Sequence, residues 1–311
     1  MKIVDKLICP ACKSDLVRYL DKFGCSSEKC IHSKRDYFFV CVDGIPVLIS
    51  ELACDTVFSS SQTAPLVVRS GDGGVFRWLK KHIFGESSVT KKNILHFIRM
   101  LLKGVEKPCV LIIGSGEIGS GTTELYSSDI QLVGTDIYVS PHVNYVADAH
   151  YLPFKNKSFD GVVIQAVLEH VVDPQLVVSE IHRVLKADGM VYAETPFMQQ
   201  VHEGAFDFTR YTVLGHRYLF KNFDRLDAGG LDGVGVALAW SLRAFIHAFT
   251  RSRLMAKLIF VPLKYFMTFA EKIADPRSLH DANSGSYFLG KKSKKTMTHK
   301  DIIKEYQGFK R

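Results

Sequence analysis

Three observations predict an α/β fold built on a doubly wound, mostly parallel sheet. From Pro108 onward, continuous apolar strands alternate with amphipathic helices, which is typical of a parallel sheet covered by helices on both faces. The first of these strands, residues 109–114, runs directly into a glycine-rich turn. Four of the seven cysteines lie within the first thirty residues, so a small separate unit is expected ahead of the sheet.

The composition is that of a globular protein. The 311 residues suit one large domain and a smaller one, and the apolar fraction of 47% and charged fraction of 23% are ordinary. The formal net charge is +8, but residues 286–311 hold eight Lys and Arg against two acids. Such a tail is expected to be a solvated end, so the nearly neutral remainder gives nucleic acid only modest support as a partner.

No segment has the length of a membrane span. The most apolar stretch, "VGVALAWSLRAFIHAF", is interrupted by Arg243 and His247 before it reaches the ~18 apolar residues that a spanning helix needs. The first residues lack the apolar core of a secretory leader. We therefore expect a cytoplasmic protein, in which cysteines serve as metal ligands or core thiols before they form disulfides.

The amino-terminal cysteines have the spacing of a metal site. A C-x2-C pair is followed twelve residues later by a C-x4-C pair, and two such turns can bring four thiolates into the tetrahedron that zinc takes with sulfur. The expected zinc ligands are Cys9, Cys12, Cys25 and Cys30. His32 could replace Cys30, and the alternative to a metal site is a set of four buried thiols. Four sulfur ligands leave no open position, so the zinc would be structural.

The flanks of this unit, "LICPAC" and "VDGIPVLI", resemble the small zinc-ribbon family that includes the activator subunit of tRNA and protein methyltransferases. The second cysteine pair departs from the C-x2-C that is usual in that family. We expect a zinc ribbon over residues 1–54. A linker and first helix should follow over residues 55–90, where "VFRWLKKHIF" has helical spacing.

The core of the large domain is expected over residues 91–230. Helical spacing in "NILHFIRMLL" leads into the first strand, and a helix should begin near Thr122. Further strands are predicted over residues 131–137, 143–149, 159–167 and 190–197. Between the last two, Asp173 should cap a helix that has Pro174 at its first position and Gly189 just past its end.

The glycine-rich turn predicts a nucleotide-like cofactor. Gly114, Gly116 and Gly119 form G-x-G-x-x-G between a strand and a helix, where a cofactor can lie across the strand ends and approach the backbone closely. Asp136 ends the next strand, in the position of a carboxylate that accepts bonds from ribose hydroxyls; a turn acid is the alternative interpretation. These residues alone do not separate NAD, FAD and S-adenosylmethionine.

The segment that begins "VADAHYLPFKNKSFDGVVIQAVLEHVVDP" is similar to the class I S-adenosylmethionine-dependent methyltransferases, in particular the type 11 group, and the similarity covers residues 108–200. It implies a Rossmann-like fold, with the methionine portion beside the glycines, ribose on Asp136, adenine near Asp148 and Gln165 under the cofactor. The implied cofactor-binding residues are Gly114, Ser115, Gly116, Glu117, Gly119, Asp136, Ile137, Asp148, Ala149 and Gln165. Ile112 stands where an acid is usual; Glu117 could replace that acid or be a solvated turn residue.

The acceptor is expected at the loops after the fourth and fifth strands. "LEHVVDP" offers His170, which could line the pocket or cap the next turn. "PFMQQVHEGAFDFTRYT" resembles a segment of some type 11 proteins and offers four more candidates: His202, Asp207, Arg210 and Tyr211. Arg210 could hold an anionic acceptor and His202 could take its proton. The alternative is a salt bridge between Asp207 and Arg210 that only holds the loop.

A helical arm is predicted over residues 231–275, followed by the strand "GSYFLGKK" and the basic tail over residues 276–311. Five apolar residues share one stripe of the arm: Leu238, Leu242, Phe245, Ile246 and Phe249. They could cover the sheet as core or lid, or contact a membrane surface together with the basic residues of the arm.

The sequence therefore predicts methyl transfer from S-adenosylmethionine to a small-molecule, glycan or lipid-linked acceptor. The runner-up is an rRNA or tRNA methyltransferase whose zinc ribbon grips RNA. A binding module without catalysis ranks third, and an NAD enzyme ranks last.

Overall fold

The computed structural model describes residues 3–62, 64–65, 87–127 and 129–309. The helix predicted over residues 75–84 and most of the predicted linker lie outside these ranges.

The amino-terminal unit is an antiparallel sheet of four short strands. Its strands are β1 (Leu16–Tyr19), β2 (Lys22–Cys25), β3 (Phe39–Val42) and β4 (Ile45–Pro46), paired in chain order. A single helical turn, α1 (Ile31–Lys34), joins β2 to β3. This agrees with the β unit that the sequence predicts.

The large domain contains a seven-stranded sheet. Its strands are β5 (Cys109–Ile113), β6 (Gln131–Asp136), β7 (Tyr145–Val146), β8 (Phe159–Gln165), β9 (Leu185–Pro196), β10 (Phe223–Asp232) and β11 (Gly285–Lys292). The order across the sheet is β10-β11-β9-β8-β5-β6-β7. The five strands from β9 to β7 are parallel, and β11 is antiparallel to both of its neighbours. The predicted α/β fold class is confirmed.

Nine helices lie among the residues that the structure describes. After α1 they are α2 (Ser88–Gly104), α3 (Thr123–Tyr126), α4 (Pro174–Val184), α5 (Val213–Leu219), α6 (Val234–Thr250), α7 (Arg253–Ala270), α8 (Ser278–Ala282) and α9 (His299–Lys304). Helices cover both faces: Ile94 and Phe97 of α2 pack on one, and Val177 and Ile181 of α4 pack on the other.

The start of α4 follows its prediction and its end does not. Asp173 accepts a hydrogen bond from the backbone N–H of Leu176 and Pro174 is the first residue, as the capping pattern requires. The helix ends at Val184, and β9 begins at Leu185. Gly189 therefore lies within β9 and is not a helix cap; Leu185 pairs with Phe159 of β8, and after a register shift the pairing resumes at Met190.

The strand predicted for "GSYFLGKK" is present as β11, the last strand along the chain, and it lies between β9 and β10 in the sheet. The strand β10 was not predicted, because "FDRLDAGGLD" contains four charged residues and two adjacent glycines and lacks the apolar run of a buried strand. It forms the edge of the sheet, and among the strands that the structure describes it pairs only with β11.

The amino-terminal sheet and the large sheet share one core. Leu7, Phe23 and Phe39 pack in the same buried cluster as Leu111 and Phe154. The backbone N–H of Leu48 donates to Val146 O at 2.7 Å, so the small unit continues the hydrogen bonding of the edge strand β7.

The arm consists of the two long helices α6 and α7, which pack against each other. Buried positions of α6 are confined to its first turns, at Gly235, Val236, Ala237 and Ala239. Three residues of the predicted stripe are instead exposed: Leu238 by 47%, Phe245 by 62% and Phe249 by 75%. The stripe does not form core, because small residues at the start of α6 make the contact with the domain.

The carboxy-terminal segment packs against the large domain, although the sequence predicts a solvated tail. Ile302 of α9 is buried, and Glu305 pairs with Arg217 and Arg225 at 3.2 and 3.0 Å. Within the described residues, no helix combines the length and apolarity that a bilayer crossing demands.

Candidate active site

One large cavity opens at the carboxyl ends of the parallel strands. Its volume is about 1190 Å³, and its walls come from the turn after β5, the ends of β6 and β8, and the loops after β8 and β9. Ten of the sequence-predicted site residues line it: Gly114, Glu117, Gly119, Asp136, Ile137, Asp148, Ala149, Gln165, His170 and His202. Ser115, Gly116 and Tyr211 are not among the lining residues, and Asp207 and Arg210 line a separate pocket of about 500 Å³.

The glycines of the turn make room for side chains of the chain itself. Gly114 has φ of +81°, a conformation that favours glycine. A Cβ at Gly116 would collide with the hydroxyl of Tyr138, and one at Gly119 would collide with the amide of Gln165. At these two positions side chains of the chain itself fill the space that a Cβ would take; contact between the glycines and a cofactor stays a prediction.

The carboxylate of Asp136 is held at the end of β6 by backbone donors. The N–H groups of Gly116 and Ile137 donate to its two oxygens, each at 2.7 Å. The group is therefore fixed at the cavity wall by the glycine turn itself, as a residue that binds ribose hydroxyls would need to be.

Asp148, the residue expected near the adenine, is 3% exposed and bonded from two sides. Its Oδ1 accepts from the backbone N–H of His150 at 2.9 Å and lies 2.6 Å from His150 Nδ1. Its Oδ2 accepts from the hydroxyl of Thr56, which follows the amino-terminal unit. Phe58 and Pro65 from the same segment also line the cavity, so residues beyond the cysteine unit complete the wall.

A buried polar network lies at the base of the cavity. Gln165 donates to Ser120 O at 3.1 Å and to Glu194 at 2.6 Å, and Thr90 donates to Glu194 at 2.7 Å. Burial raises the pKa of Glu194 against the opposing effect of these hydrogen bonds. The network fixes the Gln165 amide at the point where β8 and β9 end.

The far end of the cavity brings together Glu169, His170 and His202. Glu169 is 1% exposed and neither of its carboxylate oxygens has a hydrogen-bond partner within the described ranges. Burial raises the pKa of Glu169 to about 8 and lowers that of His170. The rings of His170 and His202 are perpendicular, with centroids 4.9 Å apart.

Arg210 lies beside this cluster with its donors engaged. Its guanidinium binds both oxygens of Asp207, and it also donates to Gln199 O, Gln200 O and Thr209 O at 2.9–3.1 Å. Burial opposes the shift, but the bonds from Arg210 and the His202 N–H lower the pKa of Asp207 to about 2. The geometry thus favours the alternative role of this pair, a salt bridge that holds the loop. Tyr211 packs against the core.

The four amino-terminal cysteines converge on one point. Their sulfur atoms all lie within 4.8 Å of one another, with Cys9 Sγ 3.8 Å from Cys30 Sγ and Cys12 Sγ 3.4 Å from Cys25 Sγ. Sulfurs that share a tetrahedral zinc at about 2.3 Å are about 3.8 Å apart. The donor set therefore fits zinc.

His32 lies beside the cysteine cluster and is not counted as a further metal ligand. Its Nδ1 lies 3.3 Å from Cys9 Sγ and 3.5 Å from Cys30 Sγ, and its Nε2 lies 2.7 Å from the hydroxyl of Ser50. Burial lowers the pKa of His32. The neutral ring suits a donor to thiolates, with Ser50 bonded to its other nitrogen.

Sequence reasoning missed four residues that line the cavity, Phe58, Glu169, Glu194 and Trp240, and Thr56, which donates to Asp148. Glu169 directly precedes His170 in "LEHVVDP", so the sequence did place a carboxylate beside this candidate histidine. Its burial could not be foreseen, because it comes from the loop after β9, where the N–H of Phe208 donates to Glu169 O at 2.8 Å.

Comparison with known proteins assigns the central part of the chain. Residues 111–193 match the family described as "Methyltransferase domain". No curated protein matches the chain.

Three solved structures are among those to which this chain is similar. A chain of the Haemonchus contortus phosphoethanolamine N-methyltransferase 2 complex with S-adenosyl-L-methionine is 18% identical over 71% of this chain and 57% of its own, with a TM-score of 0.43. A methyltransferase of Archaeoglobus fulgidus is 18% identical over 70% of this chain and 99% of its own, with a TM-score of 0.42. A chain of the complex between the Trm112 methyltransferase activator and a methyltransferase of Haloferax volcanii is 16% identical over 67% and 93%, with a TM-score of 0.38.

The family match spans β5 to β9, the strands that carry the glycine turn, Asp136 and Gln165. The chain thus contains a methyltransferase domain, and the protein is an S-adenosylmethionine-dependent methyltransferase.

Proposed function

We propose that the cavity binds S-adenosylmethionine along the glycine turn and a lipid-linked or otherwise amphiphilic acceptor at its far end. The observation that carries this proposal is the continuity of the cavity, which runs from Gly114 past Gln165 to His202. S-Adenosylmethionine supplies a methyl group on a sulfonium that is already reactive, so the protein mainly positions the acceptor and receives its proton where required.

On the cofactor side, Asp136 would bind the ribose hydroxyls, and Asp148 with Ala149 would contact the adenine. Gln165 would lie under the cofactor, where its amide is fixed by Glu194. The backbone bonds that hold Asp136 support this assignment, because a pre-oriented carboxylate loses little entropy when it binds a diol.

The cofactor assignment is tested by calorimetry on Asp136→Ala. We expect the affinity for S-adenosylmethionine to fall by about 1–3 kcal/mol, the value of charged hydrogen bonds. Glu106→Ala, at an exposed acid before β5, is the matched control and should bind normally. Unchanged affinity in Asp136→Ala would remove this residue from the site.

The arm supports an amphiphilic acceptor. Large apolar residues are exposed along α7 as well as α6, including Leu258 by 60%, Phe266 by 64% and Phe269 by 69%. Trp240 of α6 lines the cavity, so the apolar surface continues to its mouth. A surface of this extent is typical of contact with a membrane or another protein.

Charge favours an anionic membrane surface as the contact. Residues 233–274 hold six Lys and Arg and one acid. That acid, Glu271, accepts hydrogen bonds from the N–H groups of Gly233 and Val236, so it caps α6. An apolar face flanked by basic residues binds anionic bilayers.

Vesicle flotation tests the membrane contact. We expect the protein to float with phosphatidylglycerol-containing vesicles, less with neutral ones, and Phe245→Ser with Phe249→Ser to abolish flotation. Leu20→Ser, at a residue of the amino-terminal unit that is 91% exposed, should not change it. No flotation by the wild type, or concentration-dependent dimers that shield the arm, would contradict the membrane contact while leaving cofactor binding intact.

The charge of the cysteine unit does not favour the RNA alternative. Residues 1–54 hold eight Lys and Arg against seven Asp and Glu, and Lys13 is paired with Glu180 of α4 at 3.0 Å. A unit that grips RNA would present an excess of basic residues.

We also propose that Cys9, Cys12, Cys25 and Cys30 hold one structural zinc ion. The mutual distances of their sulfurs and the second bond of His32 to Ser50 support this assignment. With all four positions taken by thiolates, the zinc would stabilise the unit and take no part in methyl transfer.

A further inference from the structure

Three side chains at the far end of the cavity point ligand atoms toward a common centre. Oε1 of Glu169 lies 3.7 Å from His170 Nε2 and 4.0 Å from His202 Nε2. All three ligand atoms lie within 4.8 Å of one another. They come from two different loops, the one after β8 and the one after β9, so the fold brings them together.

The second nitrogen of each imidazole has an acceptor. His170 Nδ1 donates to Phe206 O at 2.7 Å, which leaves a lone pair on Nε2. His202 Nδ1 lies 3.3 Å from a carboxylate oxygen of Asp207, closer than Arg210 Nη2 at 3.5 Å. Metal-binding histidines characteristically donate their other N–H to a carbonyl or carboxylate, which orients the ring and sets its tautomer.

Glu169 lacks the hydrogen bonds that a buried carboxylate requires. The side chain is 1% exposed, and neither oxygen has a hydrogen-bond partner in the ranges described. An unpartnered carboxylate in such a place is costly. A cation between Glu169 and the two imidazoles would satisfy it.

We propose that Glu169, His170 and His202 bind one divalent cation of the first transition series. Two imidazoles and one carboxylate suit Mn²⁺, Fe²⁺, Co²⁺ or Zn²⁺. Ligand atoms at about 2.1 Å from such an ion are about 3 Å apart in octahedral geometry, so small rotations of the three side chains complete the site.

The remaining coordination positions of this ion face the cavity. Three protein ligands leave at least one position for water or substrate. On the proposed function, an acceptor oxygen takes that position, and the cation both orients it and favours its deprotonated form. This site differs from the cysteine cluster, whose four sulfurs leave nothing open.

The experiment is a titration of the full chain, as purified, with Mn²⁺, in which electron paramagnetic resonance measures the free ion. Mn²⁺ prefers oxygen and nitrogen ligands to thiolates, so it does not report on the cysteine unit. We expect one equivalent to bind, and Glu169→Gln and His202→Asn each to weaken binding at least tenfold. Asp188→Asn, at an acid that is 87% exposed, should bind as the wild type does.

Two results would overturn the metal site: a wild-type protein that does not bind Mn²⁺ stoichiometrically, and a Glu169→Gln variant that melts normally and binds Mn²⁺ as tightly as the wild type. Calorimetry with S-adenosylmethionine on the same samples separates this inference from the proposed function. Cofactor binding without Mn²⁺ binding would refute only the metal site. Mn²⁺ binding without cofactor binding would refute only the methyl transfer.

Discussion

At the scale of single residues, buried polar groups account for most of what is specific to this cavity. Glu194 is satisfied by Thr90, Tyr192 and Gln165, so its burial fixes a rigid base. Glu169 is equally buried and lacks such donors. Two carboxylates at similar depth thus have different tasks: one positions an amide, and the other is proposed to bind a cation.

The salt bridge between Asp207 and Arg210 carries the first prediction at this scale. If it holds the loop after β9, Asp207→Asn and Arg210→Lys should raise amide exchange over residues 197–212 alike, by the equivalent of about 1–3 kcal/mol for a broken charged bond. Affinity for S-adenosylmethionine should not change in either variant. An anion clamp at Arg210 would instead make Arg210→Lys lose acceptor binding while Asp207→Asn keeps it.

His216 carries a prediction about acid stability. Burial among Phe220, Phe288 and Tyr211 lowers the pKa of His216 from 6.5 to about 3. Below pH 6.5 the unfolded chain therefore binds a proton at His216 that the folded chain does not bind. The contribution to the free energy of unfolding is complete above this pH and is lost as the pH decreases. We expect a loss of about 1.4 kcal/mol per pH unit, or about 2–3 kcal/mol by pH 4.5.

Urea unfolding at pH 7 and pH 4.5 measures this effect. In His216→Phe, which keeps an aromatic ring and removes the titrating group, the difference between the two pH values should shrink by that amount. His247→Gln, at an exposed histidine of α6, should leave the difference as it is in the wild type. An equal acid loss in wild type and His216→Phe would contradict the assignment.

At the scale of elements, capping residues and apolar runs in the sequence predicted the helices and strands whose formation depends on nearby residues. Asp173 and Pro174 begin α4 where the capping pattern requires, and β5, β6 and β8 follow their apolar runs. Tertiary pairing decided the rest. The chain after Val184 joins β8 as a strand at once, and β10 exists because β11 offers it a partner.

The same division applies to the candidate site. Gly114 and Asp136 could be predicted, because a strand end and its turn place them at one edge of the sheet, whereas Gln165 was expected only from the resemblance to class I methyltransferases. Thr56 and Glu169 could not, because their positions depend on segments that are distant in sequence and packed only in the folded chain. The arm shows the opposite failure: helical spacing predicted α6, but spacing alone does not say which face meets the domain.

The cysteine unit carries the prediction at the element scale. It has about fifty residues and four short strands, too little core to fold without a further constraint. We expect one zinc per chain by elemental analysis, and Cys12→Ser to release it and to abolish slow amide exchange in β2 and β3. Cys41→Ser, at a thiol outside the cluster, should retain the metal. Freshly purified protein without metal would refute the zinc site.

At the scale of the whole molecule, the cysteine unit and the methyltransferase domain form one structure. They share a hydrophobic core, and Leu48 extends the hydrogen bonding of the sheet beyond β7. The segment that follows the unit then places the hydroxyl of Thr56 on Asp148 and Phe58 in the wall of the cavity. The small unit therefore has a structural connection to the place where the adenine is proposed to bind.

This connection predicts that zinc and cofactor binding are coupled. Thr56→Val keeps the shape of the side chain and removes the bond to Asp148, so the affinity for S-adenosylmethionine should fall about threefold to tenfold, as for one hydrogen bond of about 0.5–1.5 kcal/mol. Cys12→Ser should reduce it at least as much, because loss of zinc frees Phe58 as well as Thr56. Val57→Ser changes the residue between them, which is 59% exposed, and should have no effect. If calorimetry finds full affinity in Cys12→Ser after the zinc has left, the unit stabilises only itself, and the cavity wall at Asp148 is held by the large domain alone.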